Sequence, residues 1–182
     1  MSPTNDKLFM QRCLNLAENG LGKTYPNPLV GSVIVHKNKI IGEGWHHQAG
    51  SPHAEINAIK SVKDKSLLQY STLYVNLEPC SHEGKTPPCV NAIKKHKIPK
   101  VVISSIDPNP KVSGKGIQIL KENNVHVDVG IHQDLVAKQN KFFFFKKINF
   151  SAYFCIALFL AISFLTNLFI SPLCFFCNAP VG

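Results

Sequence analysis

The chain has 182 residues, 45% of them hydrophobic, and a formal charge of +9. That length makes one domain able to bury roughly two thirds of its unfolded surface, and it excludes a second catalytic domain. The positive charge is lysine: Arg12 is the only arginine among 20 basic residues, and because arginine is preferred for bidentate phosphate and base contacts, a nucleic-acid partner is not expected.

In chain order, residues 6–19 place Leu8, Phe9, Cys13, Leu14, Leu16 and Ala17 on one side of a helix, with Asn5 or Asp6 as cap and Gly20 as stop. The polar start before it lacks the apolar core of a secretory signal. A reducing cytoplasm is therefore expected, with cysteines used for metal rather than disulfides. Residues 29–36 and 39–45 are β-branched runs separated by Lys37-Asn38, a hairpin signal. Residues 52–60 read as a helix carrying His53 and Glu55 on its first turn. There follow a strand at 72–77, a helix at 88–96, a strand at 100–104, a helix at 115–123 and a strand at 125–129. Alternating strands and helices with one hairpin imply an α/β sandwich of three layers, a mixed central sheet flanked by helices.

Chemistry concentrates in Pro52-His53-Ala54-Glu55 and in Glu78-Pro79-Cys80 with Pro88-Cys89. One histidine and two cysteines supply three zinc ligands and leave a fourth position for water, the pattern of a catalytic rather than a structural site. Glu55, two residues from the first ligand, is a carboxylate available to carry protons. Zinc deaminases divide the labour in this way, with a glutamate that is not a ligand.

The segments Thr24-Tyr25-Pro26-Asn27-Pro28-Leu29-Val30-Gly31, Gly42-Glu43-Gly44-Trp45-His46, Ala49-Gly50-Ser51-Pro52-His53-Ala54-Glu55 and residues 77–89 resemble the deaminase domain of the bifunctional riboflavin-biosynthesis (RibD) family. So does Asp107-Pro108-Asn109-Pro110 with Gly114 and Gly116 after it. The likeness runs from about Leu8 to about Phe143. Eight residues separate Cys80 from Cys89, unlike the P-C-x-x-C of cytidine and tRNA adenosine deaminases, and the longer loop is similar to the riboflavin type.

The resemblance implies a cytidine-deaminase-like fold and one zinc ion per chain on His53, Cys80 and Cys89, with Glu55 as proton shuttle. It implies hydrolysis of the 2-amino group of 2,5-diamino-6-ribosylamino-4(3H)-pyrimidinone 5′-phosphate to the pyrimidinedione and ammonia. Substrate contacts are expected from Asn27, His46, His82, Lys85, Asp107 and Asn109. Ser113-Gly114-Lys115-Gly116 lacks the full phosphate-loop pattern and is kept only as a ribose-phosphate contact. No NADP is expected on this chain; ribose reduction falls to a separate NADPH-dependent reductase, and a homo-oligomer is expected by family analogy.

The domain is assigned to residues 1–141. After it, where the two-domain family enters its reductase, residues 142–182 form an apolar tail that is uncharged from Ile148 onward. Residues 150–170 match the roughly 20 residues that span a bilayer, so the tail reads as a readthrough or eroded segment, as a membrane anchor, or as a surface packed on another subunit. Cys174 and Cys177 within it are treated as incidental. Two rival functions stand: a tRNA or nucleoside deaminase, disfavoured by the long cysteine interval, and a non-catalytic zinc-stabilised scaffold for a reductase, disfavoured by the intact Glu55.

Overall fold

The computed structural model describes residues 3–84, 86–109 and 113–145. The expectations for Lys85 and for the tail from residue 146 onward fall outside these residues. The described chain lies within one compact unit, Met1–Phe145. Among the described residues, no helix is long and apolar enough to cross a membrane.

Helix α1 (Pro3–Glu18) buries Met10, Cys13, Leu14, Leu16 and Ala17, the apolar side read from the sequence. Strands β1 (Gly31–His36) and β2 (Lys39–Trp45) form the hairpin. Its two turn residues, Lys37 and Asn38, have φ of 47° and 61°, the left-handed pair of a type I′ turn, which matches the twist of paired strands. Next come α2 (Ala54–Ser61), a 3-10 turn (Lys65–Tyr70), β3 (Thr72–Leu77), α3 (Cys89–Lys95), β4 (Lys100–Ser105), α4 (Lys115–Glu122), β5 (His126–Val129) and α5 (Gln133–Gln139).

The five strands lie in the order β2-β1-β3-β4-β5. Strand β1 is antiparallel to both β2 and β3, whereas β3, β4 and β5 run together. The carboxyl ends of β2, β3 and β4 and the amino end of β1 therefore meet at one edge of the sheet. On one face, Ile34, Leu73, Val75, Val101 and Ile103 pack with Ala58 and Ile59 of α2, Val90 and Ile93 of α3 and Leu120 of α4. On the other, Val33, Val35, Tyr74 and Val102 pack with Met10, Cys13 and Leu16 of α1. The helix α5 packs on β4, and its Gln139 Nε2 donates to Leu14 O of α1 at 2.9 Å. The expected three-layer α/β sandwich is thus the observed one.

Two glycines set how close α2 comes to the sheet. A Cβ on Gly44 would meet Ala58 N and come within 2.6 Å of Ala54 O, and one on Gly42 would come within 2.6 Å of Ala58 O. Only glycine lets the helix backbone lie directly on β2 at these positions. The far end of α2 is closed by Lys65, whose Nζ donates to Ile59 O, to Lys60 O at 2.8 Å and to Val62 O. An ammonium there satisfies carbonyls that the helix end leaves without partners and complements its dipole.

Candidate metal centre

Two loop-to-helix junctions, at the starts of α2 and α3, and the loop that follows β3 bring the donors together at the common sheet edge. His53 is the N-cap of α2, with φ −72° and ψ 167°; the sequence reading placed it on the first turn, but its extended backbone holds it just outside the helix. That conformation turns the ring toward the β3–α3 loop while Glu55 stays in the first turn of α2. Cys80 follows β3, and Cys89 opens α3 behind Pro88. Proline there requires no amide donor and its fixed φ suits a helix start.

Nδ1 of His53 lies 3.4 Å from Cys80 Sγ and 3.3 Å from Cys89 Sγ. The backbone N–H of Cys89 donates to Cys80 Sγ at 3.3 Å. The three donor atoms all lie within 4.8 Å of one another. Bonds of roughly 2.0 Å to nitrogen and 2.3 Å to sulfur at tetrahedral angles separate the two donors by about 3.5 Å. The His53, Cys80 and Cys89 set therefore fits zinc in spacing and in chemistry, two thiolates and one imidazole. Cys80 is held down to about 4, chiefly by donation from the Cys89 thiol, with His53 and the Cys89 amide adding to it. The Cys89 thiol is pushed up as it donates to that thiolate from a buried position. His53 is raised, first by its contact with Cys80. The lowered Cys80 favours the thiolate, the form in which a cysteine ligates metal.

Glu55 is 3% exposed. Burial, and after it the charge of Cys80, pushes its carboxyl up to about 7. A carboxyl in that range both takes and releases a proton near neutral pH.

His46 and Asn27 form the adjoining wall. His46 is buried, and its ring stands edge-on to His53 with centroids 5.3 Å apart. Its Nδ1 faces Pro52 O at 3.3 Å. A carbonyl only accepts, so Nδ1 carries the hydrogen and Nε2 is left to accept from Asn27 Nδ2 at 3.1 Å. Burial lowers the pKa of His46 and keeps this neutral tautomer in place. The loop between β2 and α2 is held by Asn57, whose Nδ2 donates to Trp45 O at 2.8 Å and Pro52 O at 3.2 Å.

The other expected contacts are placed less closely. Asp107 and Asn109 follow β4 at the same sheet edge, and the N–H of Asn109 donates to Asp107 Oδ1 at 2.8 Å. His82 lies exposed in the loop between Cys80 and Cys89. Glu78, to which the sequence reading gave no role, is 5% exposed. It accepts from Asp107 N at 3.3 Å, Gly114 N and Gly116 N at 2.9 Å each, and Ile117 N at 3.3 Å. Its only signal in the sequence is an acidic residue beside Pro79-Cys80 at the end of an apolar strand.

A family model described as the cytidine and deoxycytidylate deaminase zinc-binding region matches residues 3–105, which contain all three donors and Glu55. The chain belongs to the cytidine and deoxycytidylate deaminase family. Within it, the chain is similar to a diaminohydroxyphosphoribosylamino-pyrimidine deaminase of Buchnera aphidicola from Acyrthosiphon pisum, 52% identical over 140 residues, covering 77% of this chain and 94% of that protein. It is 49% identical over 142 residues to the riboflavin biosynthesis protein RibD of Synechocystis, covering 78% of this chain but only 38% of that protein. The crystal structure of a diaminohydroxyphosphoribosylaminopyrimidine deaminase/5-amino-6-(5-phosphoribosylamino)uracil reductase from Thermotoga maritima aligns with a TM-score of 0.76 at 42% identity, covering 80% of this chain and 42% of that one. Membership in this deaminase family, whose matching region is zinc-binding, agrees with the donor set and makes zinc the fitting ion.

Proposed function

We propose that this chain is a hydrolytic deaminase of 2,5-diamino-6-ribosylamino-4(3H)-pyrimidinone 5′-phosphate that works in the cytoplasm and holds one zinc ion on His53, Cys80 and Cys89. The observation that carries the reading is the convergence of these three donors with a buried carboxyl two residues from His53. The relatives that share this segment nearly end to end are named as that deaminase. When bound, zinc supplies the Lewis acidity that makes water nucleophilic near neutral pH.

Glu55 takes a proton from the attacking water and delivers it to the ring nitrogen. As the C2–N bond breaks, Glu55 passes the second proton to the departing amine, so that one water is consumed and one ammonia leaves. Asn27, oriented by His46, contacts the pyrimidine. His82, Lys85, Asp107 and Asn109 serve the remainder of the ribotide from the loops around the same sheet edge. Residues 1–141 make up the deaminase domain. Its product passes to a separate NADPH-dependent reductase, and the deaminase assembles as a homo-oligomer.

The test is ammonia release by zinc-loaded chain offered the diaminopyrimidine ribotide and, in parallel, cytidine and tRNA. Turnover of the ribotide alone is the expected result. Turnover of cytidine or tRNA in its place, or zinc binding without turnover of any of them, overturns the reading.

A further inference from the structure

Leu29 lies between the site residue Asn27 and the first residue of β1, and its backbone is gripped by the end of α5. Asn140, which follows α5 and is 4% exposed, accepts from Leu29 N at 2.8 Å through Oδ1 and donates to Leu29 O at 3.0 Å through Nδ2. The side-chain amide thus pairs with Leu29 as a neighbouring strand would, across 111 positions of sequence. Asn76 of β3, fully buried, adds a second grip: it accepts from Gly31 N at 3.0 Å and donates to Leu29 O at 3.1 Å. Its amide also faces Gln139 Oε1 at 3.3 Å.

We infer that Asn140 is a positioning residue for Asn27, making the end of α5 part of the substrate site; this rests on the function proposed above. Residues 27–30 precede β1 and, among the described residues, belong to no strand pairing, so the amides of Asn140 and Asn76 take the place of a partner strand at Leu29. His46 holds the same segment from the inside, its N–H donating to Val30 O at 2.9 Å and its ring meeting Asn27. Removing the Asn140 amide leaves a buried N–H without its acceptor and loosens the segment that aims Asn27. Asn140 lies 35 residues beyond the family match, which ends at residue 105, so its part in the site is argued from the contacts of the folded chain.

The experiment compares Asn140→Ala, Asn27→Ala and the double variant in the full-length, zinc-loaded chain, with Ile98→Ala, at the opposite sheet edge, as a control for lost stability. The inference expects Asn140→Ala to raise KM for the ribotide about tenfold, the equivalent of one positioned hydrogen bond, with zinc content unchanged. The double variant is expected to be no worse than Asn27→Ala. Ile98→Ala should lower the urea midpoint without moving KM. Fully additive effects of the two asparagines, or a KM that follows the urea midpoint alone, overturn it. Side-chain amide NMR gives a second reading that needs no turnover: Asn140→Ala is expected to shift the Asn27 NH2 resonances and to speed exchange of the Leu29 amide. Unmoved resonances refute the positioning role, whereas a moved resonance in a chain that never deaminates the ribotide refutes only the proposed substrate.

Discussion

Glu78 and Gly116 meet across 38 positions of sequence, the Gly116 N–H donating to Glu78 Oε1 at 2.9 Å. A Cβ at Gly116 would run into Pro79 O and approach Glu78 Oε1 to 3.2 Å. The segment leading to Cys80 and the start of α4 are therefore locked by a carboxylate on one side and a missing side chain on the other. Glu78→Gln keeps the volume but turns an amide toward backbone donors. It is expected to lower the unfolding free energy by about 2–3 kcal/mol, measured as a shift of the urea midpoint at constant slope.

Glu55→Gln removes the proposed proton carrier and leaves the proposed ligands His53, Cys80 and Cys89 in place. Zinc content, measured by metal analysis, is expected to match the parent chain, while kcat falls roughly 100 to 10,000-fold. Parent-level ammonia release from this variant would remove Glu55 from the chemistry.

Gly44→Ala presses a methyl group against Ala54 O and the Asn57 carbonyl carbon, at 2.6 and 2.7 Å. Helix backbone cannot yield as a flexible side chain does, so α2 must lift from β2 and carry His53 and Glu55 with it. A loss of about 1–3 kcal/mol is expected, together with weaker zinc binding by competition with a chelator. Gly84→Ala is the matched comparison: among the described residues nothing lies within 4 Å of its added Cβ, and stability is expected to stay within about 0.5 kcal/mol of the parent.

Two surface pairs set part of the acid response. Arg12 donates to Glu43 at 2.7 Å and 2.9 Å, and Lys100 lies 2.6 Å from Asp128; each carboxyl is lowered, first by its hydrogen bond to the base. A lowered carboxyl binds fewer protons in the folded chain than in the unfolded one. Its stabilisation is present above the ordinary values of 4.5 and 3.8 and is lost as pH falls through the lowered ones. Because both carboxyls are partly exposed, at 33% and 41%, the combined effect is held to about 1 kcal/mol. Glu43→Gln with Asp128→Asn is expected to flatten the stability curve below pH 4.5, followed by urea denaturation across pH.

The convergence of His53, Cys80 and Cys89 beside a buried Glu55 was legible in the sequence because such clusters are marked by residue type and short spacing. The strands were legible for a related reason: β3 (Thr72–Leu77) is an apolar run buried along its whole length, and Lys37-Asn38 carries its own turn signal. Helix α5 left no such trace, since Val136 is its one buried residue and seven residues show no clear period. Glu78, Asn76 and Asn140 carry no such signal because each bonds to backbone amides far along the chain. A side chain that bonds to peptide groups leaves no partner residue type to search for. His53 slipped from the first turn to the N-cap for the ordinary reason that caps are decided by local backbone angles rather than by periodicity.

The hairpin turn at Lys37-Asn38 and the left-handed residues Lys97 and Asn124, which precede β4 and β5, lie at the sheet edge opposite the metal donors. A six-residue strand is roughly 20 Å long, so these three turns are separated from the chemistry by the full width of the sheet. They are natural sites for grafting: a fluorophore, an affinity peptide or a tether to a second enzyme attached there leaves the rim that carries His53, Cys80 and Cys89 unobstructed.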